Sequence, residues 1–139
     1  MEVTINTHGN PLPSNNDGKG EYYDLCTAER VEMKKWEYRK ISLGISVKVP
    51  KGYIVKIYPR SSTFERYGII MVNSAGIIDS SYCGNDDIVM FPALALGDVT
   101  IEKGTRIAQM TVEKAEDITF TEVGMMEDGN RGGFGSTGV

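Results

Sequence analysis

From Arg39 to Val49 the chain alternates, with Ile41, Leu43, Ile45, Val47 and Val49 separated by Lys40, Ser42, Gly44, Ser46 and Lys48. A period of two gathers the apolar groups on one face of an extended strand, whereas on a helix they would scatter around the axis. The pattern therefore predicts a half-buried β-strand over 39–49. Pro50-Lys51-Gly52 then turns the chain into Tyr53-Ile54-Val55-Lys56-Ile57, which reads as the return strand of a hairpin. Further runs at Ile69 to Val72, Asp87 to Phe91, Val99 to Ile101, Arg106 to Val112 and Ile118 to Glu122 are punctuated by turn residues, as in sandwiches and barrels. Helix has little room. Thr27 to Trp36 fits either a turn or two of helix or an edge strand, and Ser62 to Tyr67 allows one short helix after Pro59. Asn10 to Gly20 is a polar loop and Glu113 to Asp117 a charged connection. The expected fold is all-β, an antiparallel barrel or jelly roll with a mobile C-terminal arm.

Composition narrows the functional classes. A chain of 139 residues suits one domain that buries roughly two-thirds of its unfolded surface. A basic leader before an apolar run is missing, as is any stretch of ~18 apolar residues, so a cytoplasmic protein without a membrane segment is expected. Two cysteines and one histidine are too few for a disulfide framework or a zinc site. The net charge of −4, with no lysine or arginine run, lacks the footprint of a nucleic-acid binder. A polyanionic ligand would need local arginines, backbone amides and a divalent cation.

Several segments could carry chemistry. Arg131-Gly132-Gly133-Phe134-Gly135-Ser136-Thr137-Gly138 is either a disordered terminus or an arm whose amides cradle an anion while Phe134 lies on a ring. It is no P-loop, because Gly135 rather than lysine precedes Ser136. In Asn73-Ser74-Ala75-Gly76-Ile77-Ile78-Asp79-Ser80-Ser81-Tyr82-Cys83-Gly84, the glycines permit a sharp hairpin whose backbone reaches a base edge. Asn73 could pair with a pyrimidine, Tyr82 face a sugar and Asp79 take a proton from water; equally, they read as an Asx-turn, a strand aromatic and a turn acid. Arg60 with Ser61, Ser62 and Thr63 suits phosphate oxygens or, alternatively, an N-cap beside a structural ion pair. Arg106 reads as an ion-pair partner, Gln109 as a solvated strand residue, and Asp24 as an edge-strand acid.

Taken together, Tyr23-Asp24-Leu25, Pro59-Arg60-Ser61-Ser62, Gly76-Ile77-Ile78-Asp79 with Tyr82 and Gly84, Gly104-Thr105-Arg106-Ile107-Ala108-Gln109, and Gly132 to Gly138 resemble the five ordered motifs of the trimeric dUTPase family, in its phage or prophage branch. Two features depart from the pattern. Glu21 and Tyr22 stand where the first motif usually has a small residue and glycine, and Arg131 lies three residues before Phe134 instead of five.

The resemblance implies a jelly-roll-like barrel over 1–125 and an arm over 126–139 that closes on a neighbouring subunit of a homotrimer with shared sites. It implies hydrolysis of dUTP to dUMP and pyrophosphate, with Asp79 activating water against the α-phosphorus and Ser61 stabilising the leaving group. Arg60, Ser62 and Gln109 would hold phosphates, and Mg²⁺ would ride on them with Asp24 in its outer shell. Asn73, Gly76 and Ile78 would read uracil, Tyr82 would pack under the deoxyribose, and Phe134 would stack on the base. Arg131, Gly135 and Ser136 would complete the phosphate cage. Two alternatives remain open: a dCTP deaminase-like enzyme of the same fold, and a phage regulator that binds a repressor protein.

Overall fold

The alternation at 39–49 is buried as its period requires, but it is two strands. In the computed structural model, which describes residues 1–138, Ile41, Leu43, Ile45, Val47 and Val49 are all buried. The chain nevertheless breaks between β4 (Tyr38–Ser42) and β5 (Ser46–Lys48), because Gly44 takes a left-handed φ of 71°. Gly44 also lies under Asn10, whose side-chain amide donates to its carbonyl at 3.1 Å. A Cβ at Gly44 would come within 2.7 Å of the Ala28 Cβ, so the kink requires glycine on both counts. β4 and β5 consequently belong to different sheets.

Earlier in the chain run β1 (Thr4–Asn6), β2 (Tyr23–Cys26) and β3 (Val31–Met33). Val31–Met33 resolves the open reading of 27–36 in favour of an edge strand. After β5 come β6 (Tyr53–Pro59), α1 (Thr63–Tyr67), β7 (Ile69–Met71), β8 (Gly76–Ile78), β9 (Met90–Ala95), β10 (Val99–Ile101) and β11 (Arg106–Lys114). Every pairing is antiparallel. The strand orders are β2-β11-β6-β8, β4-β9-β7, β1-β5 and β10-β3, a jelly-roll-like all-β fold of four sheets around one core. Phe91, Ile57, Ile107 and Ile101 fill that core. Among the described residues no helix is long and apolar enough to cross a membrane.

Three expectations fail. β6 is not the return strand of a hairpin with 39–49; it pairs with β11 and β8. The turn at Pro50 forms, with the Tyr53 N–H donating to its carbonyl, but the outgoing chain pairs with later strands, Val55 standing between Ile78 of β8 and Val112 of β11. The strand expected at 87–91 lies at 90–95 and runs through Pro92 in the centre of its sheet. This is tolerated because the Pro92 carbonyl accepts from Val72, beyond the end of β7, where a missing N–H breaks no ladder bond. Ile118 to Glu122 is not a strand. Ile118 and Phe120 are exposed, and this stretch has no ladder partner among the described residues. Everything from Glu116 to Gly138 is exposed, and Val139, counted in the expected arm, lies outside the described residues.

Candidate active site

Polar groups suited to a triphosphate gather at one end of the β2-β11-β6 sheet. Gln109 on β11 stands opposite Asp24 of β2 on one side and Tyr58 of β6 on the other. Asp24 is largely covered, with 17% of its side chain accessible, and both of its oxygens are engaged. Oδ1 faces Arg60 Nε at 3.0 Å and Oδ2 faces Arg106 Nη1 at 3.3 Å. Arg60 thus has its ion pair, and Arg106 is the structural partner its sequence context suggested. Gln109 Nε2 donates to the Pro59 carbonyl at 3.0 Å.

The turn after β6 is built by Thr63. Its Oγ1 accepts from the Arg60 N–H at 2.9 Å and donates to the Ile107 carbonyl at 2.7 Å, tying the start of α1 to β11. The hydroxyl that organises this segment is therefore buried, and Ser62 occupies the N-cap without a side-chain cap bond. Ser61 is exposed. The Ser61 and Ser62 hydroxyls, next to Arg60 in the chain, are left to join it as a donor set that fits phosphate oxygens.

Tyr22 and Tyr58 form a pair that sequence reasoning missed, their ring centroids 6.2 Å apart at 59°. The signal was Tyr22 itself, standing where the first motif usually has glycine. Its ring is accommodated because Tyr58 of β6 supplies an aromatic ring to pack against.

A second group of site residues lies elsewhere. A cavity of about 380 Å³ is lined by Asn73, Gly76, Ile78 and Tyr82, together with Tyr38, Lys40, Val72 and Met90. Asn73 sits in the turn between β7 and β8, where Ser74 takes φ 62°. Gly76 lets β8 approach β6 closely, since a Cβ there would lie 3.2 Å from that of Ile57. The Tyr82 hydroxyl donates to the Ile88 carbonyl at 3.0 Å, holding its ring against the cavity. Asp79, just past β8, is exposed, and its Oδ1 accepts from the Ser81 N–H at 2.8 Å and the Ser81 hydroxyl at 2.5 Å. These bonds from Ser81, its hydroxyl foremost, hold the Asp79 carboxyl below the usual aspartate range.

Within one chain the two groups do not meet. Ile78 pairs with Val55, four residues before Pro59 on β6, which is about 13 Å of strand. Asp79 continues beyond Ile78 and Ser61 beyond Pro59, so they leave in opposite directions. The tail reaches neither group: Phe134 is fully exposed at φ 53°, and Arg131, Gly135 and Ser136 are exposed beside it. Among the described residues no cluster of three potential metal ligands exists.

Comparison with known proteins places this arrangement among relatives. The dUTPase family model matches residues 12–138. The SPbeta prophage-derived deoxyuridine 5′-triphosphate nucleotidohydrolase of Bacillus subtilis is 43% identical over 122 residues, spanning 87% of this chain and 86% of that one. The chain also superposes on a mutant dUTPase of Staphylococcus bacteriophage 80alpha with dUpNHpp, with a TM-score of 0.85, 22% identity and 99% of each chain covered. A mutant dUTPase from phage phi11 of S. aureus, described with a coordinated structural Mg(II) ion, has a TM-score of 0.81 at 17% identity and covers 92% of this chain and all of that one.

Proposed function

The chain belongs to the dUTPase family, and from that membership we propose that it hydrolyses dUTP to dUMP and pyrophosphate at sites shared between copies of a homotrimer. The observation that carries the shared site is the separation along β6. A water-activating carboxylate and the donors for the leaving phosphates must act on the same few ångströms of one substrate, whereas Asp79 and Ser61 are held more than about 13 Å of strand apart. Asp79 of one copy must therefore serve phosphates held by Arg60, Ser61, Ser62 and Gln109 of another. The outer face of the β4-β9-β7 sheet supports such a contact. Tyr38, Leu94 and Ile70 form one row across it, with Pro92, Val72 and Met90 beside them, and this apolar face runs directly into the Asn73 and Tyr82 cavity. A second copy laid there would cover the face and bring its phosphate end to the nucleoside end of the first.

In this reading Asp79, ionised at neutral pH, orients the attacking water and takes its proton while the α-phosphorus is displaced in line. Ser61 donates to the departing bridge oxygen. Arg60 carries the phosphate charge after turning from Asp24, which keeps Arg106 as a partner. Asn73 and the backbone at Gly76 and Ile78 pair with uracil, whose pattern of donor and acceptor excludes cytosine by roughly 1–3 kcal/mol per unpaired group. Tyr82, fixed through its hydroxyl, blocks a 2′-hydroxyl sterically. The arm, residues 126–139, closes last, with Phe134 on the base and Arg131, Gly135 and Ser136 on the phosphates. Mg²⁺ would ride on the triphosphate, with the Asp24 oxygen that Arg60 releases open to its outer shell, and would offset phosphate charge on a protein of net charge −4. Such an enzyme acts in the cytoplasm, keeping uracil out of DNA and supplying dUMP for dTMP synthesis.

Pyrophosphate release from dUTP, with dCTP, dTTP and UTP in parallel, tests the proposal. Turnover confined to dUTP supports it. Formation of dUTP from dCTP would mark a deaminase instead, and full turnover by a strictly monomeric protein would overturn the shared site.

A further inference from the structure

Ser81 has no part in the reaction described above, yet it makes both side-chain hydrogen bonds found on Asp79. Its N–H and its hydroxyl converge on one oxygen, Oδ1. We propose that Ser81 is a positioning residue that pins Asp79 Oδ1 with two donors and so leaves Oδ2 as the oxygen that receives the proton of the attacking water. This rests on the role of Asp79 proposed above.

The two oxygens of a free carboxylate are equivalent, and an aspartate χ2 well is broad. On an exposed turn that freedom spreads the base over many orientations, whereas in-line attack needs one oxygen at a fixed place. Two donors on Oδ1, each charge-assisted, remove the equivalence. The rest of the segment is held by other bonds. The Tyr82 N–H donates to the Asp79 carbonyl at 3.3 Å, the Tyr82 hydroxyl to Ile88, and the Gly84 N–H to Asp87 Oδ2 at 2.8 Å. The Ser81 hydroxyl is therefore not required to shape the turn, and Ser81→Ala removes that donor while leaving the backbone bond. The same donors keep Asp79 ionised at lower pH and make it a weaker base, so Ser81 gives up basicity for placement.

The test compares Ser81→Ala, Ser81→Thr and Asp79→Asn in steady-state dUTP hydrolysis across pH, with the Asp79 carboxyl followed by NMR in the unliganded protein. Ser81→Ala should lower kcat at least about tenfold, the loss expected for one hydrogen bond to a charged group, with KM within about twofold. Its acidic limb and the Asp79 titration should both move to higher pH, and Ser81→Thr should restore kcat and limb together. An inactive Asp79→Asn beside a Ser81→Ala enzyme of unchanged kcat and unmoved limb would overturn the role of Ser81 alone. Full turnover by Asp79→Asn would overturn the role of Asp79, and this inference with it. A Thr variant as impaired as Ala would also overturn it, since the hydroxyl would then not be the operative group.

Discussion

If Asp79 and Ser61 act on one substrate from different copies, two inactive variants must rescue each other. Asp79→Asn removes the base, a loss of about 10²–10⁴ in turnover for a positioned general base. Ser61→Ala removes a donor to the leaving oxygen, a loss of about 10²–10³ by analogy with an oxyanion donor. Both residues are exposed, so neither change disturbs the core. In trimers assembled from an equal mixture, a given site draws Asp79 from a copy that retains it half the time and Ser61 from a different copy half the time. About one site in four is then intact, and the mixture should recover about a quarter of wild-type turnover from parents at about 1% or less. The strand separation fixes this outcome, because groups that far apart on one chain cannot belong to one site. The assay is pyrophosphate release after co-refolding of the two variants, with mixed trimers identified by native mass spectrometry as the control for exchange. If exchange is demonstrated and the mixture is no more active than its better parent, both groups come from the same chain and the shared-site reasoning is wrong.

Other outcomes follow from the same geometry. Asp79→Asn alone should keep the wild-type assembly size and nucleotide affinity, measured by ultracentrifugation and calorimetry, while turnover collapses. Deleting residues 130–139 should leave the thermal unfolding midpoint unchanged, because that segment is exposed throughout its described length, yet strongly reduce kcat/KM; a lowered midpoint would make the arm structural. Phe91→Ala, at a fully buried ring on the central strand β9, should cost about 3–5 kcal/mol in denaturant unfolding. Because the folded state depresses the Asp79 carboxyl, its ionised form persists as pH falls through the ordinary aspartate range of about 3.9. Its charge, and the small stability it contributes, should be lost only below that range. An NMR titration with a midpoint at or above the ordinary value would contradict the Ser81 bonds.

Much of the proposed site can be assembled from sequence because its residues are clustered there. Arg60, Ser61 and Ser62 adjoin in one turn, and Asn73 through Tyr82 form one hairpin, so short segments carried their own chemistry. Arg106 as an ion-pair partner was also readable, but the identity of the acid was not: Asp24 lies 82 residues away and meets it only because β2 pairs with β11. The Tyr22 and Tyr58 pair was hidden for the same reason. Thr63 was read as one hydroxyl among three, whereas it alone is buried and ties α1 to β11.

By itself the sequence determined which faces are buried, since side-chain periodicity is local and survives whatever the strands pair with. The alternating residues from Ile41 to Val49 are buried on schedule even though Gly44 divides them between two sheets. Only the tertiary structure decided the partners. Backbone hydrogen bonds carry no residue label, so nothing in Tyr53 to Ile57 announces β11 and β8 rather than the strand before it. The exposed Ile118 to Glu122 has strand chemistry without a strand to join among the described residues. The distance between Asp79 and Ser61, on which the proposed shared site depends, is likewise a property of the β6 register and of no local motif.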